Sequence, residues 1–429
     1  MDSKQPKKIP GMWRFPTDPD RCCIYRVPSS LRDINPEAYT PQLVLIGPLH
    51  LSLKSQALKS LDLGDDITYT KSMGYLNMEE HKKISLSGFA ARVEGEYTID
   101  GFKRMIKKDE EIIRTSYQES IAWIQSQEFV EMVLHDSVFI IEFILRATNI
   151  GPQKTGDPLI DGNLASTVNA DLILLENQLP YFILEKLFDP IVPRMCQYQT
   201  FRELIIAHFG SGGKIDKKSK FRHITDLLRC ALVETLPQHD EVKCEAIDHM
   251  YNADKLDYGG IKFETVGEEF SLYVSFKNGC LKMSCITVDD ELEMRLRNIM
   301  ALEQCHYPFN SHVCNYVLFL DCLIDTDKDV DLLVEKGIIR NWIGQPALVA
   351  RMVNKLGLGI IEVGSYYSEI AVKVNKHYAN RFHRSYALLK RVYFGNLWTG
   401  TATVAATLLL VMTLIQTVAS IIQVMQSSP

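Results

Sequence analysis

Cys305, His306, His312, Cys314 and Cys322 form the densest group of potential metal ligands in this chain. Zinc knuckles pair their thiolates at Cys-x-x-Cys spacing, so that one turn delivers two ligands to one ion. That pairing does not repeat here, and Cys314 and Cys322 sit in an apolar helical run, so buried thiols are the expectation. In the segment Asp325 to Gly337, DTDKDVDLLVEKG, acids occupy the first, third, fifth and seventh positions of a calcium-loop frame. The frame fails at the turn, where Val330 replaces glycine, and at the closing ligand, where Lys336 replaces glutamate. Thr and Asp capping a helix account for the same residues.

The remaining chemistry is equally thin. GSGGK, Gly210 to Lys214, lacks the full glycine spacing of a phosphate loop, follows a helical pattern and continues with Ile215 instead of a magnesium-binding hydroxyl. It reads as a flexible loop. No Gly-x-Ser-x-Gly elbow occurs. His135 and Asp136 are adjacent in a helical stretch and so project to different faces, a poor geometry for a dyad. Asp289 and Asp290 precede a helical run and fit N-terminal capping better than paired acid–base work. No catalytic, cofactor-binding or metal-ligating residues are therefore assigned.

The elements that would position any site are mostly helical. Lysine-bearing residues 1–20 read as a flexible arm without the apolar run of a secretory signal. Pro28, Pro36, Pro41 and Pro48 then prevent any long helix, with Leu43 to Ile46 a short extended piece. From Tyr75 to Arg146 the apolar period is helical, and Phe102, Met105, Ile106, Ile112, Ile113 and Ile121 can share one side. Glu128 to Leu145 is apolar on more than one face, which predicts a helix buried among others and stopped at Asn149-Ile150-Gly151-Pro152. In Val168 to Pro190, Glu176, Asn177, Gln178 and Pro180 interrupt an apolar run. A core helix kinked or restarted at Pro180 follows, its polar trio needing partners such as backbone groups of the proline-rich lead-in. FRELIIAHF and FRHITDLLRCALVETL predict two shorter amphipathic helices, and residues 236–258 a variable linker. IKFET and SLYVSF are strand-like, and Asn278-Gly279 supplies the positive φ angles of a hairpin turn, giving a small β unit at about 261–288. Helices resume to the end, with Gly337 ending one of them.

Composition bounds the class. The 429 residues are 46% hydrophobic and 23% charged, which fits a large globular body and excludes global disorder. A net charge of -6 and a pI near 6.0 oppose nucleic-acid binding. The ten cysteines show no framework spacing and no Asn-x-Ser/Thr sequon occurs, both consistent with the cytosol.

The C-terminus is the strongest single feature. No charged residue or histidine follows Arg391, and residues 399–424 have the length a helix needs to cross a bilayer core. Lys390, Arg391, Tyr393, Phe394 and Trp398 stand where interfacial anchors belong, at the end of a basic juxtamembrane helix over about 366–396. That helix either touches anionic headgroups or presents a solvated face. Within the span, Thr403, Thr407, Thr413, Gln416, Thr417, Ser420 and Gln423 fall on about half of the helix, opposite Val404, Leu408, Val411, Ile415, Val418 and Ile422. If the segment spans, this polar side is a helix–helix contact. The other reading is an amphipathic helix docked on its own domain; length and absence of charge favour spanning.

Several long stretches, in order, resemble a plant family known as domain of unknown function 247. They are CCIYRVPSSLRDINPEAYTPQLVLIGPLH, DEEIIRTSY, ADLILLENQLPYFILEKLF, VDDELEMRLRNIMALEQC, LIDTDKDVDLLVEKGII and the stretch from Trp398 into the tail. Leu51 and Ser52 depart from the family's usual His and Gly in the opening motif. The resemblance implies one C-terminal membrane segment and brings no cofactor and no functional residues.

The resulting expectation is a mainly α protein: a cytosolic helical body over 21–396 with a small β-hairpin insertion, and a C-terminal transmembrane helix. Its function is that of a membrane-tethered, tail-anchored, non-enzymatic interaction or signalling protein, with the plasma membrane favoured. Membrane lipid, an unknown protein partner and a second copy of the chain are the expected contacts. Two alternatives stand beside it: an enzyme whose site is assembled from residues distant in sequence, and a soluble protein whose last helix packs on its own core.

Overall fold

The computed structural model describes residues 12, 21–60, 66–93, 98–148, 159–160, 164–210, 215–216, 219–237, 245–380 and 397–426. Among the described residues the fold is mainly helical, with five short strands and one long apolar helix near the C-terminus. Two hydrophobic cores organise the body, one built from residues up to Leu227 and the other from Met250 onward.

The helix Ser126–Thr148 is the axis of the first core. Phe129, Val133, Val138, Ile141 and Ile144 are among its buried residues and lie on several faces, so neighbours must enclose it. Asp66–Ala90, Ile99–Lys108 and Phe201–Phe209 pack around it. The single apolar face expected through Ile121 is instead divided. Asp109 leaves helical geometry (φ -98°, ψ 8°), a second helix runs Glu110–Thr115, and Ile112 ends 37% exposed. Asp109 also ion-pairs with Lys186, and that tertiary contact sits at the bend. Pro180 does restart the chain: Leu164–Leu172 and Tyr181–Phe188 are separate helices, and Glu176, Asn177 and Gln178 lie in the buried connector between them.

The second core holds helices Leu292–His306, His312–Leu323, Asp327–Glu335, Pro346–Leu356 and Ser368–Ala379. β2 (Val274–Lys277) and β3 (Cys280–Met283) form the expected hairpin, with Asn278 and Gly279 at φ 52° and 75°. β1 (Lys262–Thr265) adds parallel to β3, and β4 (Ile286–Val288) pairs parallel with β5 (Ile339–Asn341). The calcium-like segment is a capped helix. Thr326 and Asp329 form a capping box, and Gly337 at φ 72° ends the helix with Gly337 N donating to Val334 O and Ile338 N to Leu333 O. Asp289 Oδ1 accepts from the N–H groups of Glu291 and Leu292, capping the next helix. Within the stretch read as a linker, Ala253–Tyr258 is a short helix capped by Asn252, with Ala253 and Leu256 buried.

Between the cores, Cys22, Tyr25, Leu31 and Tyr39 of the lead-in pack against Leu175, Ala301 and Leu302. The lead-in forms no strand at Leu43–Ile46; side chains take its N–H groups instead. The basic helix expected over about 366–396 begins at Ser368 and closes at Ala379, because Asn380 turns extended (ψ 111°). Residues 381–396, with Lys390, Arg391, Tyr393 and Phe394, lie outside the described residues, as do most of the N-terminal arm, Asn149–Pro152 and Ser211–Lys214.

Candidate functional site

Four buried acceptors hold the lead-in, as a strap, to the lobe formed around the first core; the second core forms the second lobe. Asp171 accepts from the N–H groups of Gln42, Leu43 and Val44, each at 2.7 Å. Asn177 Oδ1 accepts from Ile46 N at 2.6 Å, while its Nδ2 donates to the carbonyls of Val44 and Asp171. Glu176 accepts from Val27 N and receives Arg26 and Arg32. Asp136 takes Gly47 N at 2.8 Å. Gln178 bonds the carbonyls of Leu172 and Leu174 and receives Ile224 N. The polar trio thus finds the backbone partners that its burial demands. Burial opposes the Glu176 carboxylate, yet Arg26 and Arg32 keep its pKa below the ordinary range. Burial pushes Asp171 up to about 6 despite its three N–H donors.

The same strap roofs a cavity of about 220 Å³. Lys82 is buried at its side, donating to Leu45 O, Glu79 and Asp136, the last at 2.6 Å. Burial works against the Lys82 ammonium, but Asp136 and Glu79 together hold its pKa above the ordinary value. Lys54 completes the row on Glu79. His50 is 5% exposed and its Nε2 has no hydrogen-bond partner. Burial lowers its pKa to about 4, so it stands neutral at pH 7. His135 turns its Nδ1 to Glu131 O at 2.7 Å and Asp136 turns to Lys82, yet both border this one cavity. Nothing in the local sequence joins His50, Lys82 and Asp136.

A second opening of about 470 Å³ lies where the two cores meet. Ile173, Leu228, Leu296 and Ile299 are among its apolar walls, with Asn169, His208 and Arg295 adding polar groups. Cys305, His306, His312, Cys314 and Cys322 are used separately. His306 Nδ1 is 2.7 Å from Tyr25 Oη, the His312 ring meets Tyr366, and Cys314 is buried beside Met300 O. Among the described residues, no group of three or more His, Cys, Asp or Glu is placed to hold a metal ion.

The C-terminal helix, Leu397–Gln426, contains Thr401–Gln423, which has a mean hydropathy of 2.1 and none of its length buried against the body. Trp398 lies in its first turn. Thr407, Thr413, Gln416, Thr417, Ser420 and Gln423 are exposed, and Thr403 is half-buried. The hydroxyls of Thr407, Thr413 and Thr417 each donate at 2.8 Å to the carbonyl four residues back, on Thr403, Leu409 and Thr413.

The profile of DUF247, described as a plant protein of unknown function, matches residues 24–412. This chain belongs to the DUF247 family. The match covers the strap, both lobes and the first part of the C-terminal helix. Two Arabidopsis thaliana relatives share this extent. UPF0481 protein At3g47200 is 25% identical over 440 residues, covering 94% of this chain and 87% of its own. Putative UPF0481 protein At3g02645 is 21% identical over 500 residues, covering 92% and 89%. No solved structure matches. For this DUF247 member, Lys390, Arg391, Tyr393 and Phe394 fall outside the described residues. The groups that structure brings together, at His50, Lys82 and Asp136, are ones the sequence offers no motif for.

Proposed function

We propose that this protein is a membrane-tethered interaction protein, its helical body held at the cytosolic face by one C-terminal span. The carrying observation is the uncharged helix Thr401–Gln423, whose apolar side chains are bare: Leu408, Leu410 and Leu414 are each more than 60% exposed. An apolar surface of that size in water is a strong drive toward lipid or a partner. The threonine hydroxyls bonded to their own helix support a lipid setting, because they leave fewer unsatisfied groups in hydrocarbon. The basic residues Lys390 and Arg391 before the span favour a cytosolic body. The opening between the lobes supports the partner reading, since apolar clefts with a few polar groups at such junctions are common binding places. Glutamine on the polar side of the span, Gln416 above all, suits a contact with a second helix, from a partner or another copy.

Alkaline carbonate extraction of membranes tests the tether, comparing the full chain with one ending at Arg391. The full chain is expected in the pellet and the shortened one in the supernatant. Release of the full chain at high pH overturns the reading.

A further inference from the structure

The cavity beside His50 combines open volume, buried charge and an unpartnered ring nitrogen, and its hydrogen-bonding capacity is lopsided. Lys82 has three protons and three acceptors, Leu45 O, Glu79 and Asp136, so it has nothing left to donate. Gly47 N is already taken by Asp136. The carboxylates of Asp136 and Glu79 retain spare lone pairs, and His135, with Nδ1 turned to Glu131 O, leaves Nε2 as an acceptor. Glu79, Glu128, Glu131 and Asp136 line the space with Lys54, Lys82 and Lys83; Lys103 pairs with Glu131 at 2.5 Å, which leaves Glu128 as the carboxylate at the rim without an ion pair among the described residues. Leu45, Leu51 and Met132 supply apolar wall. An anion would face these carboxylates, and the one buried donor left to it among the lining groups is the His50 ring in its Nε2–H tautomer; with Nε2 bare, that nitrogen is an acceptor as well. A ligand that brings its own N–H donors, a positive charge and a short carbon chain meets every unfilled requirement.

We infer that this cavity binds a small primary alkylammonium compound, with its ammonium group among His50, Glu79 and Asp136 and its carbon chain against Leu51 and Met132. His50 suits that role because it is neutral at pH 7 and adds no opposing charge. The site lies in the body and is independent of the tether.

Isothermal titration calorimetry on the full chain in detergent micelles tests it, with putrescine as probe and butanediol and succinate as neutral and anionic counterparts of equal length. Putrescine is expected to saturate one site, butanediol to bind at least about tenfold more weakly and succinate not at all. Met132→Trp fills the cavity and should abolish binding. Glu128→Lys changes an exposed rim residue, leaves the core intact and should weaken putrescine about tenfold, which covers a Met132→Trp chain that does not fold. No saturable binding of putrescine at millimolar concentration overturns the inference. So does butanediol or succinate binding as tightly, or Glu128→Lys binding putrescine unchanged.

Discussion

Arg229 Nε lies 3.0 Å from Glu303 Oε1, an ion pair in which both side chains are buried and which joins the two lobes. Glu303 also accepts the N–H groups of Val313 and Cys314, so one carboxylate closes the lobe junction and caps the helix His312–Leu323. The Arg229 guanidinium donates to Asn310 O and lies 3.7 Å over the Tyr307 ring. Tyr307 in turn donates to Asp226 and receives Arg222.

Removing one partner of such a pair leaves the other charged and buried. Arg229→Met is expected to cost about 3–5 kcal/mol, read as a lower midpoint in urea unfolding. The double change Arg229→Met with Glu303→Leu removes both charges and should be less damaging than Arg229→Met alone. A double variant as unstable as the sum of its singles would show that the pair is not coupled.

Asn177→Ala removes the partner of Ile46 N and of the Val44 carbonyl at a site that is 1% exposed, and leaves the Asp171 carbonyl only its 3.3 Å bond from Leu174 N. Each orphaned group costs about 1–3 kcal/mol, so a loss on the order of 3 kcal/mol is expected. The local signature is faster amide exchange at Ile46, whose N–H loses its acceptor, with the second lobe unaffected. Unchanged exchange along the strap would contradict its clamping by Asn177.

Acid should destabilise the body between about pH 6.5 and 4. Burial lowers His50 and His223 from 6.5 to about 4, so both are neutral in the fold while the unfolded chain binds protons first. The stability they contribute is present above pH 6.5 and is lost as pH falls toward 4, up to about 3 kcal/mol for each. Burial lowers His208 and His312 in the same direction. Asp171, raised to about 6, acts oppositely, its contribution falling as pH rises from about 4 to 6. Thermal melts from pH 7 to 5 should show a falling midpoint that flattens in a His50→Gln, His223→Gln chain. A midpoint constant over that range would argue that these rings titrate normally.

In the C-terminal helix, the hydroxyls of Thr407 and Thr417 are satisfied by their own backbone, whereas the longer side-chain amide of Gln416 can reach away from the helix backbone toward a neighbour. If the polar side contacts another helix in the bilayer, Gln416→Leu should abolish cross-linking between engineered cysteines on that side, and Thr407→Val should leave most of it. Equal cross-linking from Gln416→Leu and the parent chain would remove the helix contact.

Much of the fold was legible because its rules are local. The 3.6-residue period marked Ser126–Thr148, the Asn278-Gly279 pair marked the hairpin, and Thr326, Asp329 and Gly337 marked the ends of one helix. The want of charge after Arg391 likewise marked a helix long and apolar enough to cross a membrane. The polar trio at Glu176–Gln178 announced a need for partners, and the strap was the right place to look. What local pattern could not carry was which distant groups would meet. β1 beside β3 and β4 beside β5 join segments with whole helices or loops between them, and a period along one strand is silent about its neighbour. Asp109 broke an apolar face that periodicity alone runs straight through. His50, Lys82 and Asp136 share a cavity only because three separate elements converge there. The sequence by itself determined the helices, their caps and the uncharged tail, since each depends on residues within a few positions of one another. Tertiary structure decided the strap, the Arg229–Glu303 junction and the cavity, because buried charge is tolerable only where partners from far along the chain arrive to meet it.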